Sequence, residues 1–501
     1  MSEPLLLGTD IGTQGTKVVV ITLDGKVKAS GYASYQFEVP QPGWTEQDPL
    51  IWWQAFVKAC REIWDKGIDP KQVTAIGISG QMHSLVLLDD HNKILRPAIL
   101  WNDVRTSEEC VEIENIVGKE KMYNITKNAV LPGFTAPKIR WVQKHEPAVF
   151  KQIHRVLMPK DYIVFRLSGE FSADVSDASG TVLFDVERRD WSTALIEALG
   201  FSPSWFPKVY ESQEVAGTVT REANAETGLP EGIPIVAGAG DNAAAALGNG
   251  IYEEGMGIVS IGTSGTVFVP FNEVPQFEVH NEKLQTVHFF CHCLPNKWHA
   301  MGVTLSAGMS LSWFKTQFYG QSFEELIKQA EEVPPGAEKL IFLPYLNGER
   351  TPHNDPDARG VFFGLSYQHS RGHFVRSILE GVAFSMKECL ELIKQLDGTK
   401  AYDELYLTGG AVKSELWSQI LSNVFSSRFV AYKEREGPAL GAAFLAGLGT
   451  GVWKRPGDIP FDTSEARLTE PEMELTGKYE RLYDVYSSLY QTVAPLYKRL
   501  K

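Results

Sequence analysis

The chain opens on an apolar run, LLLGTD, that passes through Ile11 into a Gly/Thr-rich turn and leaves it along a second apolar run at residues 17–21. Strand, tight turn and strand predict a β-hairpin, with Asp24-Gly25 as the next turn. Residues 50–64 (LIWWQAFVKACREIW) carry apolar positions at helical spacing and are followed by a strand at VTAIGISG. Strands and helices alternate to about residue 247, which predicts an α/β domain. In the second half, HFFCHCL and KWHAMGV read as a hairpin and a helix starts near Gly308. Residues 373–395 read as a long helix, LYLTGGA as a strand into a turn, residues 414–424 as a helix and residues 473–498 as a closing helix.

An internal echo sets the domain organisation. Residues 11–16 read Ile-Gly-Thr-Gln-Gly-Thr and residues 261–266 read Ile-Gly-Thr-Ser-Gly-Thr, each followed by a strand-like run. The spacing is close to half the chain, so a duplicated domain is the better reading. The expected units are residues 1–247 and 257–501, divided in GNGIYEEGMG. The 501 residues are too many for one ordinary core, which agrees with two domains.

Composition narrows the class. Hydrophobic residues at 43% and charged residues at 22% suit a globular enzyme. No run approaches the roughly 18 apolar residues of a membrane helix, and the N-terminus lacks a secretory pattern. Five scattered cysteines suggest reduced thiols and a cytoplasmic location. A formal charge of −14 argues against nucleic acid or an anionic membrane as a partner. It also requires that any nucleotide be held locally, by backbone N–H groups and a divalent cation.

The two Gly-Thr turns meet that requirement. Rows of N–H groups bind phosphate without Lys or Arg, so Gly12 and Thr13, with Gly262 and Thr263, are candidates for the phosphates of ATP. An ordinary Gly-rich hairpin is the alternative for either turn alone. The chain has no G-x-x-x-x-G-K-[ST], which excludes a P-loop enzyme. Asp10 ends the first strand beside its turn, where a carboxylate suits the Mg²⁺ of Mg-ATP, held through water; a turn or capping role is the alternative. Asp241, in IPIVAGAGDNAA, stands at the end of a strand and opens a small-residue helix. It is the candidate base for taking a hydroxyl proton in phosphoryl transfer, with an N-cap as the alternative. Gly238, Gly240 and Ala243 imitate a dinucleotide fingerprint, but Asp241 would press its charge against a pyrophosphate.

For the acceptor, Gln81-Met82-His83 follows one apolar strand and Trp101-Asn102-Asp103-x-Arg105 follows another. Flat aromatic faces and paired polar groups suit a small sugar. We place Met82, His83, Trp101, Asn102, Asp103 and Asn242 in that pocket, with purely structural roles as the alternative. The turn Thr408-Gly409-Gly410-Ala411 lets backbone approach a flat ligand such as adenine. Cys291-His292-Cys293 invites a metal reading, but alternation along a strand would send its members to opposite faces, so core packing is expected.

Together these stretches resemble the FGGY carbohydrate kinases of the actin/hexokinase/Hsp70 superfamily. The resemblance rests on GWTEQDP, GQMHSLVLLD, ILWND-x-R, PGFTAPK, AGAGDNAA and LPYLNGERTPHNDP, and on Gly360-x-Phe362-x-Gly364-Leu365 followed by His373-Phe374-x-x-Ser377-Ile378-Leu379-Glu380. It runs from residue 6 to at least residue 445. It implies two RNase H-like α/β domains around a central ATP and sugar cleft. It also implies Asp241 as proton acceptor, Met82 and His83 on the sugar, Asp10 at the metal and phosphate end, Thr13 and Thr263 on phosphates, and Gly308, Gly410 and Ser414 near the nucleotide. A homodimer is implied by the resemblance alone. Where glycerol-specific members read N-Q-R-E-T, this chain reads Gly80-Gln81-Met82-His83-Ser84, which removes an Arg-Glu clamp on glycerol. The resemblance therefore implies a ketopentose, D-xylulose converted to its 5-phosphate, with another ketose or polyol, or a non-catalytic sensing protein, as the alternatives.

Overall fold

Leu5, Leu6 and Leu7 are all fully buried, although neighbouring residues on a strand face opposite ways. Both faces of that strand must therefore be covered, and the computed structural model shows how. It describes residues 3–276, 280–320, 322–396, 398, 401–432, 437–461 and 466–500. Strands β1 (Leu5–Ile11), β2 (Gly15–Thr22) and β3 (Val27–Ser34) form an antiparallel meander. Helix α1 (Pro49–Asp65), opened by Asp48 accepting from the Leu50 N–H, crosses to β4 (Val73–Gly80), which runs parallel to β1. β5 (Val215–Thr218) and β6 (Pro234–Val236) complete the seven-stranded sheet, in order β3-β2-β1-β4-β6-β5, with Ala239–Gly240 pairing on β4 as well.

The second half repeats this plan. β7 (Ile258–Ile261) and β8 (Gly265–Phe271) form the hairpin, followed by β9 (His288–Cys291) and β10 (Trp298–Thr304). β11 (Glu404–Gly409), β12 (Arg428–Tyr432) and β13 (Ala466–Thr469) follow, giving the order β9-β10-β8-β7-β11-β12-β13. From β10 onward the neighbours and their directions match the first sheet: two antiparallel pairs, two parallel pairs, then an antiparallel edge. The long helix of this half, Arg371–Leu396, packs across β8 and β10 as α1 packs across β2 and β3. The duplicated mixed α/β plan expected from the echo is present.

The two faces of the first sheet belong to different parts of the chain. Leu5, Leu7, Val18 and Val20 pack with Trp52 and Phe56 of α1. Leu6, Val19, Ile21 and Ala75 pack instead with Ala439, Ala443, Phe444 and Trp453, which come from near the other end. With α2 (Thr135–His145) and α3 (Asp241–Gly248) placed earlier and α4 (Gly308–Phe314) later, the helix covering this face is α5 (Gly437–Gly449). It lies so close that a Cβ on Gly8 or Gly77 would overlap the carbonyl oxygens of Ala439 or Ala442. α5 also crosses α3, where Gly441 meets the Ala244 carbonyl.

Cys291, His292 and Cys293 are all buried. The strand ends at Cys291, so the alternation expected across the trio does not apply. Their contacts are with the core: Cys291 Sγ with Val186 O at 3.4 Å and Cys293 Sγ with Ala243 O at 3.3 Å. Among the described residues no helix is long and apolar enough to cross a membrane.

Candidate active site

The two Gly-Thr turns close alike. Gly12 N–H donates to Gly15 O at 3.0 Å, and Gly262 N–H donates to Ser264 O at 2.9 Å. In each turn the next two N–H groups, of Thr13 and Gln14 and of Thr263 and Ser264, have no hydrogen-bond partner among the described residues. Each turn thus presents a pair of free donors. The first is held from behind by Gln47 Nε2 donating to Thr13 O at 2.9 Å and Gln81 Nε2 donating to Gly12 O at 3.3 Å. The second is roofed by the start of α4, where Gly308 N–H donates to Gly262 O at 2.9 Å and the Ala307 and Met309 N–H groups donate to Thr263 O. Gly308 has no room for a side chain there, since a Cβ would overlap Gly262 O.

Asp10, the last residue but one of β1, lies beside Ser79, whose hydroxyl donates to it at 3.3 Å. Burial pushes its pKa up to about 6 against the pull of Ser79 and Lys17. Asp241 begins α3, with Asn242 Nδ2 donating to its Oδ1 at 2.8 Å. Burial first, and then the charge of Asp10, push Asp241 up to about 7. Two buried carboxyls, one of them raised further by the charge of the other, form a site suited to a cation or to a proton in transit.

Met82 and His83 follow β4 and pack under glycines. A Cβ on Gly240 would come within 2.9 Å of Met82 Sδ, and one on Gly180 would overlap the His83 ring. His83 adopts φ 68°. Its carbonyl takes up Lys138 Nζ at 2.8 Å and Thr135 Oγ1 at 3.1 Å, both from α2. Its ring lies 4.7 Å from Phe134 and 5.9 Å from Phe290. Burial, with Lys138 and Arg350 nearby, holds the imidazole down at about 3, so it is neutral. Phe290 and His288 belong to β9, so the second half supplies a wall of this pocket. Sequence reasoning missed that wall, and also Gly180, Thr135 and Lys138; the PGFTAPK stretch was visible, but its role was not.

The second polar group divides. Trp101 is 36% exposed, and its Nε1 donates to Thr13 Oγ1 at 2.9 Å, joining this loop to the first turn. Asn102 Oδ1 accepts from Thr45 Oγ1 at 2.9 Å. Asp103, placed in the sugar pocket by its sequence, is fully buried with both oxygens occupied. Oδ1 accepts from the Arg105 backbone and Nε at 2.9 Å, and Oδ2 accepts from Thr45 N–H at 2.6 Å and Arg105 Nη2 at 2.7 Å. Arg105 captures the carboxylate from two residues away, which takes Asp103 out of the sugar-contact set. Arg105 then lies 3.9 Å over Trp44, bracing the GWTEQDP loop.

In the second half, Gly409 has φ 82° and pairs with Ile261 across β7 and β11. The Gly409-Gly410 turn therefore adjoins the second Gly-Thr turn. Ser414 caps the helix Glu415–Phe425, its hydroxyl accepting from Trp417 N–H at 3.1 Å.

Residues 5–248 match the model of the FGGY family of carbohydrate kinases, N-terminal domain, and residues 257–450 match that of the C-terminal domain. The xylulose kinase of Escherichia coli strain K12 is 39% identical over 98% of this chain and 100% of its own. Among solved structures, a xyloylose kinase from Brucella ovis superposes with a TM-score of 0.92 at 36% identity, covering 98% of this chain and 100% of its own. A gluconate kinase from Lactobacillus acidophilus superposes with a TM-score of 0.93 at 25% identity, covering all of both chains.

Proposed function

The chain belongs to the FGGY family of carbohydrate kinases, and from that premise we propose that it transfers the γ-phosphoryl group of ATP to the 5-hydroxyl of D-xylulose. The observation that carries the reading is the pair Asp241 and Asp10, whose carboxyls are raised to about 7 and about 6, with Asn242 joining Asp241 to Met82. A base that titrates near neutral pH takes a hydroxyl proton and releases it again at little cost.

In the proposed mechanism Asp241 Oδ2 accepts the proton of the sugar's 5-hydroxyl while Asn242 holds Oδ1. His83 and Met82 fix the sugar chain, and the free N–H pairs of the two turns take the phosphates. Asp10 and the polar groups around it would hold Mg²⁺ through water; when bound, that ion offsets charge on the transferring phosphoryl group. The Gly409-Gly410 turn lies where adenosine would follow from the second turn. Five free cysteines, all buried, fit the reducing compartment in which we place the enzyme, the cytoplasm.

The test is a coupled ADP-release assay with Mg-ATP against ketoses, polyols and aldonates, run beside Asp241→Asn. Preferential turnover of D-xylulose, lost in the variant, is the expected result. The whole-length superposition on a gluconate kinase favours one rival, an aldonate substrate. Turnover of gluconate in preference to D-xylulose would replace the substrate while keeping the base.

A further inference from the structure

The stretch LPYLNGERTPHNDP has no part in the mechanism above, yet its centre is built with care. Glu349 is 2% exposed and Thr351 is fully buried. Glu349 Oε1 accepts from Leu305 N–H at 2.9 Å and Arg350 N–H at 2.7 Å, and Oε2 accepts from Thr304 Oγ1 at 2.5 Å. Thr351 ties the ends of β9 and β10 together: its N–H donates to Val303 O, its hydroxyl donates to Thr286 O at 2.9 Å, and Val303 N–H donates back to that hydroxyl. Val303 itself packs in the cluster that contains Met82, Phe134 and Phe290. Between these two anchored neighbours stands Arg350, half-buried, beside the pocket wall.

Its guanidinium makes no hydrogen bond or ion pair among the described residues. Burial disfavours its charge, and Glu349 offsets that only in part. The charge is felt at His83 and His288, where burial is the larger influence, but it does not register at Asp241. Arg350 therefore lies on the His83 side of the pocket, away from the reacting carboxyls. A half-buried cation of five donors and no acceptor, near His83 and His288 and without a hydrogen bond among the described residues, calls for oxygen acceptors.

We infer that Arg350 is the residue through which the second half reads the sugar, its planar N–H fork donating to the C2 carbonyl oxygen and the adjoining O1 of the ketose. The inference rests on the proposed sugar-kinase reading and adds a specificity determinant to it. A ketone oxygen only accepts, so it matches the fork. A hydroxyl in its place must also place a proton, for which Arg350 has no acceptor.

The experiment compares wild type with Arg350→Met and Arg350→Lys. The sugar readouts are KM for D-xylulose and the inhibition constant of xylitol, which lacks the ketone. The KM for ATP and the melting temperature serve as controls. Arg350→Met should raise KM for D-xylulose roughly 10- to 100-fold and weaken xylitol by less than about 3-fold, with ATP KM unchanged. Arg350→Lys, which keeps the charge but loses the fork, should show the same split and decides the matter if Arg350→Met folds poorly. Equal losses for the two sugars, or an unchanged KM for D-xylulose, overturn the inference. Absence of D-xylulose turnover in the wild type itself overturns the underlying substrate reading, a failure recognisable before either variant is made.

Discussion

His83 Nδ1 lies 2.7 Å from the carbonyl oxygen of Gly180. A carbonyl can only accept, so Nδ1 carries the proton of the neutral ring and Nε2 is left as an acceptor. Nε2 has no hydrogen bond among the described residues and is not sealed from solvent. The pocket thus offers a sugar hydroxyl one oriented acceptor whose protonation does not change near neutral pH. His83→Asn tolerates the positive φ at this position, but its shorter amide cannot place an acceptor where Nε2 lies. It should raise sugar KM about 10-fold or more while leaving ATP KM alone. In Asp241→Asn, where the carboxyl at about 7 is gone, the His83 contribution to sugar affinity should show no step near pH 6.5, the ordinary histidine range; a step that His83→Asn abolishes would contradict the assignment.

Asp241→Asn keeps the shape and the Asn242 contact but cannot take a proton. Turnover should fall by roughly 10²–10⁴-fold. ATP affinity, measured by calorimetry, should change little.

The raised carboxyls give activity and stability opposite dependences on pH. As the proposed base, Asp241 must be ionised to act, so kcat/KM should fall as pH drops through about 7. Stability runs the other way. The folded state holds the Asp241 and Asp10 protons more tightly than the unfolded chain, so stability is full below the ordinary aspartate range and is lost as pH rises through about 6 and about 7. Lys17, Ser79 and Asn242 oppose this, and Asp177, itself raised, adds to it. Ligand-free Asp241→Asn should melt higher than wild type near about pH 8, by the equivalent of roughly 1–3 kcal/mol after allowance for solvent access, with the gap closing toward about pH 4. Thermal melts across this range check the sign.

Asp103→Ala should behave as a stability variant. Removing a fully buried carboxylate leaves Arg105 with Glu46, at 2.7 Å, as its one ion-pair partner among the described residues, at a cost of about 3–5 kcal/mol. The relative preference among sugars should not move, whereas a direct sugar contact would shift it.

Gly441→Val tests the crossing of α3 and α5. Its Cβ would overlap the Ala244 backbone, which no rotamer can relieve, so a loss of roughly 3 kcal/mol or more is expected in chemical denaturation.

Much of this was legible in the sequence because it was local. The repeated Ile-Gly-Thr turns became the β1–β2 and β7–β8 hairpins with matching neighbours, and Asp241 opens its helix as the strand-then-small-residue pattern predicts. What escaped was non-local or decided by competition. The packing of His288 and Phe290 on His83 and Phe134 joins segments over a hundred residues apart and leaves no periodic trace. Asp103 looked like a pocket residue because it follows a strand, but Arg105 was the nearer partner.

The α5 helix also bears on how the chain is made. The face of the first sheet formed by Leu6, Val19, Ile21 and Ala75 is closed by residues near 439–453, which are synthesised long after the strands they cover. Until then the N-terminal half carries a bare greasy surface, and it cannot reach its final form by itself. The order of synthesis thus builds in a waiting period, during which a chaperone or a neighbouring nascent chain has a surface to seize. A chain truncated before Gly437 keeps Asp10, Asp241 and both Gly-Thr turns, yet lacks the helix that seals the first sheet.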